Sequence, residues 1–425
     1  MNDLGRATVA LTVWASAVLA QTDYPDLAAI VRMGGGGHFF RYFGNPGGSY
    51  SRTPVPGNFS GVHLDIDNES ILTRWNNDLV SIDAAGTVTT LFQPPAAYPI
   101  LHQSGNLLMT TGRGIGTISY VGLAVWTREG TVVRTFPTQI PFSAFSLWRA
   151  RAVQDLDSGD YFVLADQYSQ PPMIHRVRED GAFQNVTPPN WFSEPPDQDP
   201  RTGDWYAHAW FGSQPRPPKS NGIFWSRFQL TPPTQPVLLI SEPSLQRPVR
   251  VHEGRFLFGF HLVQGNPIQE SVFRLPLNGG PPTLIPVSPP DYAESVDGPI
   301  EIIGRRQIAG RGPATPGSDY ELLVRFLREE GRAYQLAASA GVRPGITVAA
   351  GNIPLNPDAL FLLSLTNPAV FVGFSGVLDA TGRASARVRL PAVPGLRGFR
   401  MFFSGVTYGP GGIRRIAEPI GMTVQ

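Results

Sequence analysis

Polar and apolar positions alternate along this chain in short runs, and clusters of Gly, Asp, Asn and Ser separate the runs. A period of two marks strands with one covered face, and the breaks mark tight turns. The pattern also repeats on a longer scale. An apolar strand, a polar turn with Gly and a second β-rich strand make up residues 79–91 (LVSIDAAGTVTTL), 123–136 (LAVWTREGTVVRTF) and 174–186 (IHRVREDGAFQNV). Looser copies follow at 224–239 and 272–285. The residues before these turns, Ile82, Trp126, Val177, Phe228 and Leu275, are 44, 51, 51 and 47 residues apart.

A second unit precedes each hairpin: a polar turn followed by a short apolar run, at 67–72, 103–108, 157–162, 202–206, 253–257 and 297–301. Each repeat thus offers two hairpins, the content of one propeller blade, at a period in the propeller range. The repeats predict about six blades, with counts of five or seven also compatible. A hairpin at the start of the chain, 38–42 with 49–52 around a turn at 44–48, is expected to complete the last blade and hide two sheet edges. Gly34–Gly37 just before it lack the lysine of a phosphate loop and read as an entry loop.

Beyond about Gly304 the period stops. Strands are expected at 320–327, 333–339, 360–365, 384–390 and 397–403, with one or two more in 412–423, which fits a β-sandwich. The turn at 327–331 imitates a propeller turn, so a later boundary is also compatible. At the other end, Arg6 and the apolar run 7–20, closing on Val18-Leu19-Ala20, read as a signal peptide cleaved before Gln21. The expectation is an all-β chain: signal peptide 1–20, β-propeller 21–303, β-sandwich 304–425.

Composition sharpens this in three ways. Gly and Pro (46 and 42 residues) leave little room for long helices, and only 16% of residues are charged. A net charge of +1 supplies no basic excess for nucleic acid. With no cysteine, disulfides, thiol catalysis and Cys-type metal sites are excluded. No segment after the signal peptide has the apolar length of a membrane helix.

Candidate chemistry is sparse. There is no HExxH pair and no GxSxG elbow. His63, His102 and His252 fall near the turns of the inner strands, beside Asp65, Asp67, Asp155, Asp157, Asp199 and Asp297. Carboxylates converging on a channel could hold a divalent cation through oxygen, though Asp residues at such places also serve simply as turn formers. Trp205 and Trp210 belong to an aromatic stretch suited to stacking on a sugar or to packing between blades. The segment 215–221 reads as an exposed loop and a first place to seek a binding surface. The candidate ligand-binding set is therefore His63, His102, His252, Asp65, Asp155, Trp205 and Trp210.

The run 334–365 (YQLAASAGVRPGITVAAGNIPLNPDALFLLSL), followed by GFSGVLDATGRASARVRLPAVPGL, resembles a C-terminal module found in predicted exported proteins of GC-rich environmental bacteria. That resemblance covers about the last quarter of the chain. It implies an exported, modular protein and no chemistry. The repeats resemble the NHL-like propeller class only in their pattern. The sequence thus favours an exported, non-catalytic binding or scaffold propeller that recognises protein or polysaccharide and needs no cofactor. The alternative is a metal-dependent hydrolase of the gluconolactonase type, or a lyase, with its site at the channel mouth.

Overall fold

The computed structural model describes residues 307–425 throughout and, within 27–302, the strands and part of the turns between them. The signal-peptide segment, Gly34, Gly35, the 44–48 turn, Asp67, His102, Asp157, Asp297, Phe228 and residues 215–220 lie outside the described residues. Among the described residues the chain is mostly strand, and no helix is long and apolar enough to cross a membrane.

Between 27 and 302 the described strands form six antiparallel sheets of four or five strands. Sheets two to six follow one another along the chain. Sheet two holds Phe59–Asp65, Ser70–Trp75, Asp78–Ile82 and Val88–Phe92, and sheet three holds Ala97–Leu101, Leu107–Ile115, Ile118–Trp126 and Val132–Ser143. Sheet four holds Arg151–Gln154, Tyr161–Gln167, Gln170–Val177 and Phe183–Asn185. Sheet five starts with Trp191–Ser193 and Asp197–Gln198, then continues through Trp205–Phe211, Asn221–Ser226 and Val237–Ile240. Sheet six holds Leu245–His252, Phe256–Val263, Gln269–Pro276 and Thr283–Pro286. Sheet one differs in drawing on distant parts of the chain: Leu27–Met33, Gly36–Tyr42 and Ser51–Val55 are joined by Ser295–Val296 and Glu301–Ile302. Successive four-stranded meanders of this kind are the build of the β-propeller class. Gly36 and Gly37 belong to a strand, opposite Met33 and Arg32, rather than to an entry loop. Without side chains they let a hairpin close tightly there.

Each sheet covers its neighbour. Phe92 stacks on Trp126 at 5.8 Å between sheets two and three, Phe136 meets Tyr161 edge-on at 5.0 Å between three and four, and Phe162 meets Trp205 at 5.0 Å between four and five. Tyr206 of sheet five shares a core with Val251, Leu257 and Phe273 of sheet six. Second strands are consequently covered on both faces: Tyr161, Phe162 and Val163 are all buried, as are Phe256, Leu257 and Phe258. First strands of several sheets touch one another. Phe59–Asp65 lies against Ala97–Leu101, which lies against Arg151–Gln154, and Leu245–His252 touches both Asp197–Gln198 and Glu301–Ile302. Glu301–Ile302 in turn touches Phe59–Asp65.

From residue 307 on, two further sheets enclose one core. Sheet seven is ordered Ile308–Arg311, Asp319–Arg325, Arg383–Arg389, Phe371–Val372. Sheet eight is ordered Ser375–Val377, Ala333–Ser339, Arg400–Gly409, Gly412–Ile416, with Ile420–Thr423 also on Arg400–Gly409. Tyr320, Leu322 and Val324 alternate inward from sheet seven against Tyr334, Leu336, Met401 and Phe403 of sheet eight. The other face of sheet eight is covered too, since Ala337 and Phe402 pack with Val342 and Leu355. Tyr320 is fully enclosed and its hydroxyl finds no hydrogen-bond partner, so burial pushes its pKa up.

The strand expected at 360–365 is instead the helix Ala359–Thr366. Asp358 supplies its N-cap, accepting a bond from Phe361 N at 2.9 Å, and Leu has high helix propensity. Burial pushes the Asp358 carboxyl up, but bonds from Phe361, Ser339, Ala340 and Leu360 outweigh it and hold the pKa below the usual value. Ser364 is the buried member of this apolar helix because its hydroxyl accepts the Ala338 N–H at 2.9 Å, satisfying a strand edge. The expected strand at 397–403 begins later, at Arg400, because 394–396 form a 3₁₀ turn.

Glu329, 2% exposed, ties the turn after sheet seven to sheet eight by accepting bonds from Thr407 Oγ1 at 3.2 Å and Arg414 Nε at 3.1 Å. The core is most concentrated at Phe403, which is 0% exposed and packs on both Tyr320 and Phe374. Phe403→Ala is expected to lower the stability of the full chain by ~3–5 kcal/mol. Urea unfolding followed by tryptophan fluorescence and circular dichroism measures it.

Candidate functional site

Two turns of one build stand at the inner ends of sheets four and five. They carry the related sequences Gln154-Asp155-Leu156-Asp157-Ser158-Gly159-Asp160 and Gln198-Asp199-Pro200-Arg201-Thr202-Gly203-Asp204, 44 residues apart. In the first, Asp155 N donates to Asp160 O at 2.8 Å and Gly159 N to Asp155 O at 2.9 Å. In the second, Asp199 N donates to Asp204 O and Gly203 N to Asp199 O, both at 2.8 Å. Gly159 and Gly203 take φ of +77° and +78°, where other residues are strained.

The side chains repeat as faithfully as the backbone. Asp155 Oδ2 accepts from Ser158 N at 3.0 Å and Ser158 Oγ at 2.6 Å, and Asp199 Oδ2 accepts from Thr202 Oγ1 at 3.2 Å. Gln154 Nε2 donates to Gly159 O at 3.1 Å, and Gln198 Nε2 to Gly203 O at 3.3 Å. Short Asp side chains that bind their own turn are the ordinary reason for Asp at such positions.

The second turn then reaches back to the first. Gln198 Nε2 donates to Asp155 Oδ1 at 2.6 Å, while Leu156 N donates to Gln198 Oε1 at 3.0 Å. Asp197 Oδ2 accepts Val251 N at 2.8 Å from sheet six, and Asp160 pairs with Arg176. Asp155, Asp160, Asp197, Gln198, Asp199 and Asp204 are all buried. Asp204, like the others, is engaged within the protein. Among the described residues no group of three or more His, Asp or Glu side chains is arranged to hold a metal ion.

Two arginines from the C-terminal part complete both turns. Arg400 Nη2 donates to Leu156 O at 3.1 Å, and Arg343 Nη1 donates to Thr202 O at 2.8 Å. Each guanidinium lies on the turn glycine: a Cβ on Gly159 would stand 2.6 Å from Arg400 Nη1, and one on Gly203 would stand 1.7 Å from Arg343 Nη1.

Of the sequence-based candidates, Asp155 thus lies in the first turn, engaged as described. Trp205 is 3% exposed, edge-on to Phe162 between sheets. His63 and Asp65 are on the first strand of sheet two, opposite Leu72 and Ser70. His252 ends the first strand of sheet six opposite Phe256, and Trp210 lies on the second strand of sheet five opposite Phe192 and Asn221. Asp65, Asp155 and Asp199 occupy one register, each four residues' turn away from its partner strand. Gln154, Gln198, Arg343 and Arg400 escaped the sequence reading. The doubled Gln-Asp with Gly-Asp pattern was the available signal for the glutamines; nothing local marks the arginines.

Two other places hold polar groups. His175 is 6% exposed, lies edge-on to Phe183, and finds no hydrogen-bond partner for either ring nitrogen. Burial pushes its pKa down to about 4. A cavity of about 270 Å³ on the outer face of sheet seven is lined by Arg311, Glu321, Leu323, Val372, Ser385 and Arg387. Its charges alternate across the strands, Glu321 facing both Arg311 and Arg387, and Arg387 also pairs with Asp319 at 3.3 Å.

Neither a protein-family model nor a curated protein sequence matches the chain. Among solved structures it is similar to TolB from Acinetobacter baumannii, at 12% identity and a TM-score of 0.48, over 68% of this chain and 71% of that one. It is also similar to a gluconolactonase from Xanthomonas campestris, at 13% identity and a TM-score of 0.38, over 62% of this chain and 87% of that one. These likenesses concern the course of the backbone, and the chemistry rests on this chain's own residues.

Gln198→Leu strands the Leu156 N–H and one oxygen of Asp155, and is expected to cost ~2–4 kcal/mol in chemical unfolding. His175 gives a pH signature. The folded chain binds fewer protons there than the unfolded chain, so its contribution is full above pH 6.5 and is lost as pH falls towards 4. His175→Leu is expected to flatten that interval by about 3 kcal/mol, read from urea midpoints at pH 4.5 and 7.5.

Proposed function

We propose that the chain is an exported six-bladed β-propeller, residues 21–303, with a C-terminal β-sandwich, residues 304–425, behind a signal peptide at 1–20. It acts as a non-catalytic binding or scaffold module that recognises protein or polysaccharide in the periplasm or at the cell surface. The circuit of first strands, in which Glu301–Ile302 touches both Leu245–His252 and Phe59–Asp65, supports the closed ring. The two sheets around the Tyr320–Phe403 core support the sandwich.

The observation that carries the functional reading is how the carboxylates of the inner turns are spent among the described residues. Asp155, Asp160, Asp197 and Asp199 bind backbone amides, hydroxyls, a glutamine amide and an arginine of the same chain. A metal-dependent hydrolase needs such groups open towards a reacting atom. Here they fasten sheets to one another, which suits a rigid disk that presents a surface.

The test begins with elemental mass spectrometry on the purified full chain, dialysed without chelator, beside a panel of lactones and esters. Less than stoichiometric Ca, Mg, Mn or Zn, no turnover, and saturable binding to an immobilised polysaccharide or protein panel are expected. One equivalent of metal together with metal-dependent turnover overturns the proposal in favour of the hydrolase.

A further inference from the structure

The contacts between the two parts of the chain fall on a defined set of places. Arg400 and Arg343 seat on equivalent turns of sheets four and five. Ala309, on the first strand of sheet seven, shares an apolar cluster with Leu72 and Leu79 of sheet two. In a ring of six, sheets two and five stand opposite one another. The C-terminal part thus touches two sheets that such a ring sets opposite one another.

Both arginines leave the same side of the C-terminal unit. Arg400 lies over the ring of Phe402 at 4.8 Å, Arg343 follows Val342, and Phe402 and Val342 share the cluster on the outer face of sheet eight. The two sockets match in a way that one contact alone would not require. Each offers a backbone carbonyl to the guanidinium fork and a glycine beneath its plane. Bonds from a charged donor are among the stronger ones a protein makes.

We infer that the C-terminal unit is a fixed cap, clamped by Arg343 and Arg400 over the ring face that carries the turns between first and second strands. This inference rests on the closed-ring reading above. Asp65, Asp155 and His252 stand at the capped face, where their strands meet Ser70, the Asp155–Asp160 turn and Phe256. The open face is where Trp75 meets Asp78, Ile115 meets Ile118 and Gln167 meets Gln170.

Because the chain has no cysteine, paired labels can be placed without removing any. Nitroxides at Gln184→Cys and Val393→Cys, both exposed positions, report the two parts against each other by pulsed dipolar spectroscopy. A single narrow distance is expected in the otherwise unchanged chain, and loss of that narrow peak in the Arg343→Ala/Arg400→Ala double variant. A broad distribution before the arginines are removed, or an unaltered narrow one afterwards, overturns the clamp. A second pair at Thr89→Cys and Thr283→Cys, exposed on the sheets that flank sheet one, tests the ring by itself. If that pair is narrow in both backgrounds, the ring holds, the double variant is folded, and the first pair judges the clamp alone. If it is broad in the unchanged chain, the ring reading fails; if it broadens only in the double variant, the Arg343→Lys/Arg400→Lys variant decides. That variant keeps the charge and loses the planar fork, and an unchanged narrow distance between Gln184→Cys and Val393→Cys in it overturns the clamp.

Discussion

A four-stranded sheet in water has two faces to cover and cannot cover either by itself. Every other feature between residues 27 and 302 follows from how that need is met. The sheets cover each other in sequence, and aromatic pairs such as Phe92 with Trp126 and Phe162 with Trp205 set the contact between neighbours. Offset and edge-on ring geometry adds to the area removed from water. A linear stack would still leave its two outermost faces bare. Leu27–Met33 pairs with Ser295–Val296 and Glu301–Ile302, so one sheet is built from both ends of this part of the chain.

Burial on both faces creates a second demand at the strand ends, where polar backbone meets a dry interior. The doubled turns answer it. Asp155 and Asp199 bind their own turns, and Gln198 spends its amide on the neighbouring sheet, so these buried side chains are paired. Polar side chains that look like chemistry in the sequence are therefore the means by which adjacent sheets keep a fixed offset. The C-terminal part solves the same problem differently: Glu329 gathers Thr407 and Arg414, and Ser364 takes the edge amide of Ala338.

Much of the strand pattern could be read from the chain. The hairpins at 79–91, 123–136 and 174–186 match observed strand pairs because their turns carry glycine at fixed offsets, and Gly130 and Gly181 take positive φ there. The segment at 360–365 misled because a short apolar run has no period, and the deciding residue, Asp358, lies outside it. The candidate site was legible only in part. Asp155 was visible, but its partner Gln198 sits 43 residues away and Arg400 is 244 residues from Leu156. Contacts of that range leave no trace in local composition. His63, Asp65 and His252 share positions near first-strand ends, which repeat spacing alone could suggest.

Sheet one carries a cost in time. During synthesis, Leu27–Met33 pairs with Gly36–Tyr42 early, but its other edge waits until Glu301–Ile302 has emerged. Closing so long a loop is slow, and an unpaired edge invites other strands meanwhile. A chain truncated before 295 would retain the sequence of the other five sheets and leave one edge of Leu27–Met33 unpaired. Completion of sheet one therefore waits on its last residues, and the interval before they arrive is when the open edge is most exposed to other chains.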